Sequence, residues 1–581
     1  MALRTLLRYC LLRRVRYLAG FLFLLLTNGF SLAIPWVVGD AVEAIRAGAG
    51  VNVLARDVTL IILLGLCHGG ARSASRFALL GASQAVEYDI RNDLFAHLQR
   101  LSPSFYQRSR TGDLMSRATN DLQSVVGLTG FGLLSIVNTF IVFTGALAGM
   151  LRIDSWLTLY AFAPFPLLVL LARRFNWLIH KQTLEVQEEL GRLSSKAQEN
   201  LSGMTVVRAY NMAPGEEAEF GRINREYFRK SLVMVRTQGA FSPMMGMIGG
   251  LGALLVLWLG GKAVIDGRIT LGELVAFQSY LALLTWPTVA LGWVLTVIRR
   301  GLTAMERIVE ILKTDPEIRD ATPASEPPDV RGELEFRNLT FAYEGDGHAP
   351  ALRDVSLRIP AGSVVAIVGT TGSGKSTLGA LIPRLFDPPS GALYLDGREI
   401  HEIPLRQLRA AIGYVPQEAF LFSRSIRENI ALGAVGSLDG RVEWAAGVAG
   451  LTEEVQAFPE QWETVVGERG LTLSGGQRQR AALARGLVID PKILILDDAF
   501  ASVDVRKEVE ILRQLRDVYR GRTCLIISHR LKAVRDADLI VVLDQGRILE
   551  QGKHEELLAR GGLYARLWRR QQLAEEIEAA R

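Results

Sequence analysis

Long stretches without a single charge fill the N-terminal half of this chain, and no other feature restricts its fold as much. A helix crosses the hydrocarbon of a bilayer with roughly 17–25 predominantly apolar residues. Tyr17–Val38, Val125–Met150, Trp156–Ala172, Gly239–Gly261 and Leu274–Ile298 meet that requirement uncharged. A further stretch, Val58–Gln84, is interrupted by Arg72 and Arg76, but Asp57 and Glu87 bracket the right length. The expectation is six spans, near residues 17–38, 58–84, 125–150, 156–178, 239–261 and 274–298.

The rest of the composition agrees with a membrane setting. Apolar residues make up 49% of the 581, and 66 basic against 60 acidic side chains leave a net charge of +6. No lysine precedes Lys181, so the early basic charge is arginine, a bias of source and not a nucleic-acid surface. These arginines flank apolar runs, as at the cytoplasmic edge of a membrane. Arg4, Arg8, Arg13, Arg14 and Arg16 before the first span predict a cytoplasmic N-terminus, and an even number of spans returns the chain to the cytoplasm at Arg299–Arg300. The first apolar run is too long for a cleavable signal and reads as a retained span. Cys10, Cys67 and Cys524 lack metal-ligand spacing and read as inert thiols. The expected location is the cytoplasmic membrane of a bacterium, with both termini inside.

The polar segments Ala85–Ser124 and Arg173–Gln238 are rich in helix formers, with turns expected near Thr111–Gly112 and Ala213–Gly215. Helices continuing out of the membrane at ~1.5 Å per residue reach tens of Å beyond it. Pro316, Pro323, Pro327 and Pro328 mark a linker. Beyond it, short β-rich runs such as Val364–Val368, Ile493–Leu496 and Cys524–Ile527 alternate with helical patterns, which predicts an α/β domain with a parallel core. The expected division is a transmembrane domain over about 1–312, a linker over about 313–332, an α/β domain over about 333–569 and a helical tail over about 570–581.

Chemistry enters at Gly369–Ser376, which reads GTTGSGKS directly after an apolar strand. This is a phosphate-binding loop: glycines let backbone N–H groups close around phosphate oxygens, and the following helix adds its positive end. Gly369, Thr371, Gly372, Ser373, Gly374 and Thr377 form the cradle. Lys375 reaches the β/γ-phosphates, and Ser376 can bind Mg²⁺. The run Ile493–Asp497 is a buried strand that delivers Asp497 to the metal side of the same crevice.

Leu473, Ser474, Gly475, Gly476 and Gln477 resemble the signature motif of ATP-binding cassette proteins. The rest of that family's pattern follows in order. Tyr343 resembles the aromatic that stacks on adenine, and Gln417 the residue that links the metal to the membrane domain. Asp504, in Ser502–Asp504, resembles the dimer-contact loop, and His529 the switch histidine. Thr464–Gly470 is similar to an exporter segment. The resemblance covers nearly the whole chain and implies ATP and Mg²⁺ as ligands, and a half-transporter whose six-helix domain with long cytoplasmic extensions precedes a P-loop cassette. It also implies a second half-transporter as partner, each cassette offering its signature to the other's ATP. A phosphate loop reads the triphosphate from one side only, which is the physical reason for pairing.

One position departs from the family pattern. After the metal aspartate the family usually has Glu, proposed to polarise the attacking water; here it is Asp498. The carboxylate is set back by one methylene, about 1.5 Å. General-base catalysis needs hydrogen-bond reach, and such misplacement can cost ~10²-fold. Slow hydrolysis at this chain's own loop is expected, as in the degenerate-site subunit of a heterodimeric multidrug exporter. A homodimeric exporter or lipid flippase with two slow Asp sites is the alternative.

His68, Arg72 and Arg76 fall on one helical face inside the second span. Ionisable groups at membrane depth are candidates for a substrate path, against the plainer reading of packing and snorkelling. Gln278, Ser279, Trp286 and Pro287 are candidates for the same cavity. Asp113, Arg117 and Val207–Tyr210 could couple the motor to the spans, and the tail Leu563–Arg581 could zip against a partner. The expected function is export of amphipathic drugs, lipids or peptides, with membrane lipids around it and no nucleic acid. An ATP-gated channel or sensor is the second class; six spans exclude a soluble cassette acting on DNA or ribosomes.

Overall fold

The structure is a computed structural model that describes residues 1–320, 330–343, 349–434, 440–467, 470 and 472–579. Its contacts divide into two compact units: Met1–Gln99 with Thr111–Thr314, and Arg100–Arg110 with Asp315–Arg581.

The first unit is helical. A short α1 (Ala2–Leu12) precedes α2 (Arg14–Arg46) and α3 (Val51–Leu98). After α4 (Pro103–Arg108), which belongs to the second unit, come α5 (Thr111–Ile153), α6 (Ser155–Ser202), α7 (Met204–Ala209), α8 (Ala213–Ile265) and α9 (Leu271–Lys313). Five of these, α2, α3, α5, α6 and α8, are long and apolar enough to cross a membrane. The sixth, α9, is one continuous helix that contains the uncharged stretch Leu274–Ile298. At ~1.5 Å per residue α3 alone is about 72 Å long, far more than the hydrocarbon needs.

Small residues let these helices approach closely, as packing inside a bilayer demands. At the α2/α9 crossing, a Cβ on Gly272 would lie 2.2 Å from the Gly39 carbonyl oxygen. Thr270 and Glu273 form a reciprocal cap that starts α9 there. Toward the expected cytoplasmic end, ion pairs replace apolar packing: Arg13 on Asp89 at 2.7 Å, and Arg117 on Glu310 at 2.8 Å. Two π-turns, Arg117–Asp121 and Leu128–Gly132, interrupt α5.

Both expected turns are displaced. The first break spans Gln99–Arg110 and contains α4, ending where Thr111 opens α5. The second comes at Gly203 and Asn211–Met212, because Pro214 occupies the first turn of α8, where its missing N–H costs nothing. The loop around α4 groups with the second unit and not with residues 1–312. Glu317 accepts from Ser102 at 2.8 Å and from Arg108 at 2.7 Å, and also from Ser104. Of the expected linker, Pro323, Pro327 and Pro328 lie outside the described residues.

The second unit is α/β. Strands β1 (Leu334–Phe341), β2 (Leu352–Ile359), β4 (Leu393–Leu395) and β5 (Arg398–Glu399) make an antiparallel sheet in the order β2-β1-β4-β5. The second sheet runs β10-β9-β3-β8-β7-β6, from β3 (Val364–Gly369), β6 (Ile412–Val415), β7 (Ile493–Asp497), β8 (Thr523–Ile527), β9 (Leu539–Asp544) and β10 (Arg547–Gly552). It is parallel except for β10. Its central strands are apolar throughout because both faces are covered. Ala366, Leu494 and Ile526 face one core and Ile367, Ile495 and Ile527 the other.

Candidate functional site

Register brings the chemistry together. In the order β3-β8-β7, Ile367 pairs with Ile527 and Ile527 with Asp497. The C-terminal ends of these strands therefore lie side by side, where open α/β sheets bind ligands. From them emerge the Gly369 loop, His529 and the Asp497–Asp498 pair.

The loop runs from β3 into a helix, α10 (Lys375–Leu381). Gly374 caps that helix at φ +96°, and a Cβ there would strike the Ala351 carbonyl at 2.5 Å, so only glycine fits. Gly372 is also left-handed. Ser373 is buried, and Thr371 is exposed. Lys375 is 5% exposed, and its Nζ donates to the Gly369 carbonyl at 3.2 Å and the Thr370 carbonyl at 2.7 Å. Burial lowers its pKa, with Asp498 and Asp497 opposing.

Ser376 donates to Asp497 Oδ1 at 2.9 Å, so the two residues expected to share a metal lie within one hydrogen bond. Asp497 is 3% exposed; burial raises its pKa, the Ser376 bond opposes, and neighbouring Asp498 adds to the rise. A buried carboxylate strained this way gains from a cation. Two oxygen ligands suit Mg²⁺, which takes its remaining partners from phosphate and water. Among the described residues there is no cluster of three or more His, Cys, Asp or Glu that would hold a metal without phosphate.

Asp498 sits at φ +47°, with its N–H on the Ile527 carbonyl at 2.8 Å. Short polar side chains tolerate this left-handed conformation best. His529 has its pKa lowered, first by burial, then by Lys375, against the pull of Asp498. Tyr343 shares a hydrogen bond with Thr377 at 2.9 Å and meets Phe386 edge-on at 5.0 Å, so an aromatic wall borders the loop. Gln417 is exposed just past β6.

The signature opens helix α11 (Gly475–Val488). Gln477 N–H donates to Ser474 Oγ at 3.2 Å and Ser474 N–H to Gln477 Oε1 at 2.8 Å, a capping box that leaves the Gly475 and Gly476 N–H groups free for an anion. Leu473, the first residue of the signature, is 4% exposed within the apolar core and anchors the loop there. Asp504 caps helix α12 (Val505–Tyr519) by accepting from Arg506 N–H at 2.9 Å. Glu468 and Arg469 of the exporter-like segment lie outside the described residues.

Gln571 was missed from sequence. It lies in the final helix, α13 (Leu563–Ala579), where its Oε1 accepts from Leu531 N–H at 2.9 Å and its Nε2 donates to the His529 carbonyl. No motif marks it.

In the helical unit, His68, Arg72 and Arg76 do share a cavity, of about 320 Å³, with Ser135, Asn138 and Pro287. Gln278 does not line it, and the Trp286 side chain lies outside the described residues. Asp113 and Arg117 pair at 2.9 Å within an ion cluster.

Comparison with known proteins agrees with this architecture. The family profile described as ABC transporter transmembrane region matches residues 17–288, and that described as ABC transporter matches residues 352–501. A probable multidrug resistance ABC transporter ATP-binding/permease protein of Bacillus subtilis is 35% identical over 572 residues, covering 96% of each chain. The chain belongs to the ABC transporter family. An ATP-dependent lipid A-core flippase of Syntrophus aciditrophicus is also 35% identical to this ABC transporter, covering 95% of it and 91% of the flippase. The solved structure of a bacterial Atm1-family ABC exporter with ATP bound superposes with TM-score 0.79 at 32% identity, covering 96% and 98% of the two chains. This ABC transporter is thus a multi-pass membrane protein with transmembrane region and ATP-binding domain in one chain, in a family that couples ATP hydrolysis to transport and works as dimers.

Proposed function

We propose that this chain is one half of a heterodimeric exporter that moves amphipathic molecules out of the cytoplasm by alternating access. In this reading its own ATP site is slow, and its signature completes the active site of a partner that carries Glu. The observation that carries the reading is Asp498, whose short carboxylate follows the buried metal ligand Asp497. The loop N–H groups and Lys375 would hold the triphosphate, and Ser376 and Asp497 would hold Mg²⁺, whose charge would offset that of the phosphates. His529, whose charged form is disfavoured by burial and by Lys375, can hydrogen-bond the γ-phosphate. Only the step that removes a proton from water is short of reach. Relatives named for multidrug resistance and lipid flipping support amphipathic cargo.

Purified alone, the chain should bind ATP yet turn it over at about one hundredth the rate of a Glu-bearing cassette, the scale of a one-methylene misplacement. Brisk turnover without a partner would remove the heterodimer reading. In proteoliposomes with both halves, ATP-dependent accumulation against a gradient is expected; a downhill leak opened by ATP would identify a channel.

A further inference from the structure

The cavity of the helical unit holds two arginines and a histidine, and no acidic residue lines it. Among the described residues neither Arg72 nor Arg76 has a hydrogen-bond or ion-pair partner, and both side chains are exposed. Several other cations of the unit are ion-paired, Arg13 with Asp89, Arg117 with Asp113 and Glu310, and Lys230 with Glu189. Three of the other polar groups of the cavity are bonded to backbone, while Ser31, Ser135, Asn138 and Thr139 also line it. Asn28 donates to the Leu24 carbonyl at 2.8 Å, Thr27 to the Phe23 carbonyl at 2.7 Å, and Ser75 to the Gly20 carbonyl at 3.0 Å. His68 Nδ1 lies 3.0 Å from the Thr27 carbonyl, which can only accept, so the proton is on Nδ1 and Nε2 is the free edge.

Two uncompensated guanidiniums inside a span are costly and call for an anion or water. Guanidinium offers a planar fork that fits carboxylate and phosphate oxygens in pairs. At ~1.5 Å per residue, Arg72 and Arg76 sit roughly 21 and 27 Å along the span from Val58. In a hydrocarbon about 30 Å thick this is close to the cytoplasmic headgroups. Leu24, Leu134, Val142 and Leu283 supply an apolar wall to the same cavity.

We infer that this cavity selects amphipaths with an anionic headgroup, a phosphate or carboxylate held by Arg72 and Arg76 with the tail against the apolar wall. The inference rests on the exporter reading and names its cargo class. Binding is measured without ATP, so its outcome is independent of whether transport is driven.

The probe is phosphatidic acid with a fluorescent acyl chain, compared with phosphatidylcholine bearing the same chains, added to the detergent-purified full chain. The anionic lipid should bind at least 10-fold more tightly. In R72A/R76A that preference should vanish, while R72K/R76K keeps most of it; unchanged thermal unfolding of both variants shows that they are folded. Equal binding of the two lipids, or an undiminished preference in R72A/R76A, would overturn the assignment. Glycerol phosphate, which carries the same anion without tails, should fail to compete at millimolar concentration. Full competition by it would overturn the amphipathic part and leave a site for soluble anions.

Discussion

At the scale of single residues, the ATP site is a set of groups whose protonation is set by burial and close neighbours. His529 is the clearest instance, because burial and the Lys375 ammonium both disfavour its charged form and only Asp498 favours it. Its folded value therefore lies below the ordinary histidine value of about 6.5. The unfolded chain takes up this proton first as pH falls, so the contribution of His529 to stability is full above about 6.5 and is lost below it. An NMR titration of the imidazole should place its midpoint under 6.5, and a midpoint above that value would contradict the geometry. The phosphate-loop geometry was legible in sequence because it needs a backbone conformation that few residues allow, as at Gly374. The burial of the Leu473 side chain was not, because a motif letter does not say which side of the loop a side chain faces.

At the scale of elements, two contacts organise the units. Helices α2 and α9 meet through Gly39 and Gly272 with no space for a Cβ. Gly272→Ala should cost about 1–3 kcal/mol of overpacking, read as a lower unfolding temperature of the detergent-purified protein; an unchanged temperature would show that the helices slide apart freely. In the second unit, α13 holds the backbone that follows His529, because Gln571 bonds both the His529 carbonyl and the Leu531 N–H. Gln571→Ala should lower kcat for ATP severalfold with KM nearly constant. Gln571→Glu, which keeps the acceptor for Leu531 and loses the donor, should fall between; a change in KM alone would argue against positioning. Five apolar runs stood out by length and absence of charge, while α3, long and apolar enough to cross, was less plain because Arg72 and Arg76 interrupt it. Turns were less legible: Pro214 looks like a breaker but is at home in a first helical turn, and α4 leaves no periodic pattern. Gln571 and the split between Gln278 and Pro287 depend on tertiary packing, which one sequence does not display.

At the scale of the whole molecule, the chain carries a membrane domain, whose cavity has two unpaired arginines, and a cassette in which, on the proposed reading, the reach of the Asp498 carboxylate is the one shortfall. Asp497 is buried and bonded to Ser376, so on that reading restoring the missing methylene should restore hydrolysis at this chain's own loop. The decisive measurement is the ATP turnover of the purified full chain with Asp498→Glu beside the unaltered protein. A rise of about 10- to 100-fold, scaled to the cost of a small misplacement, with ATP affinity unchanged, is the predicted result. Equal rates in the two proteins, or a fast unaltered chain, would contradict it.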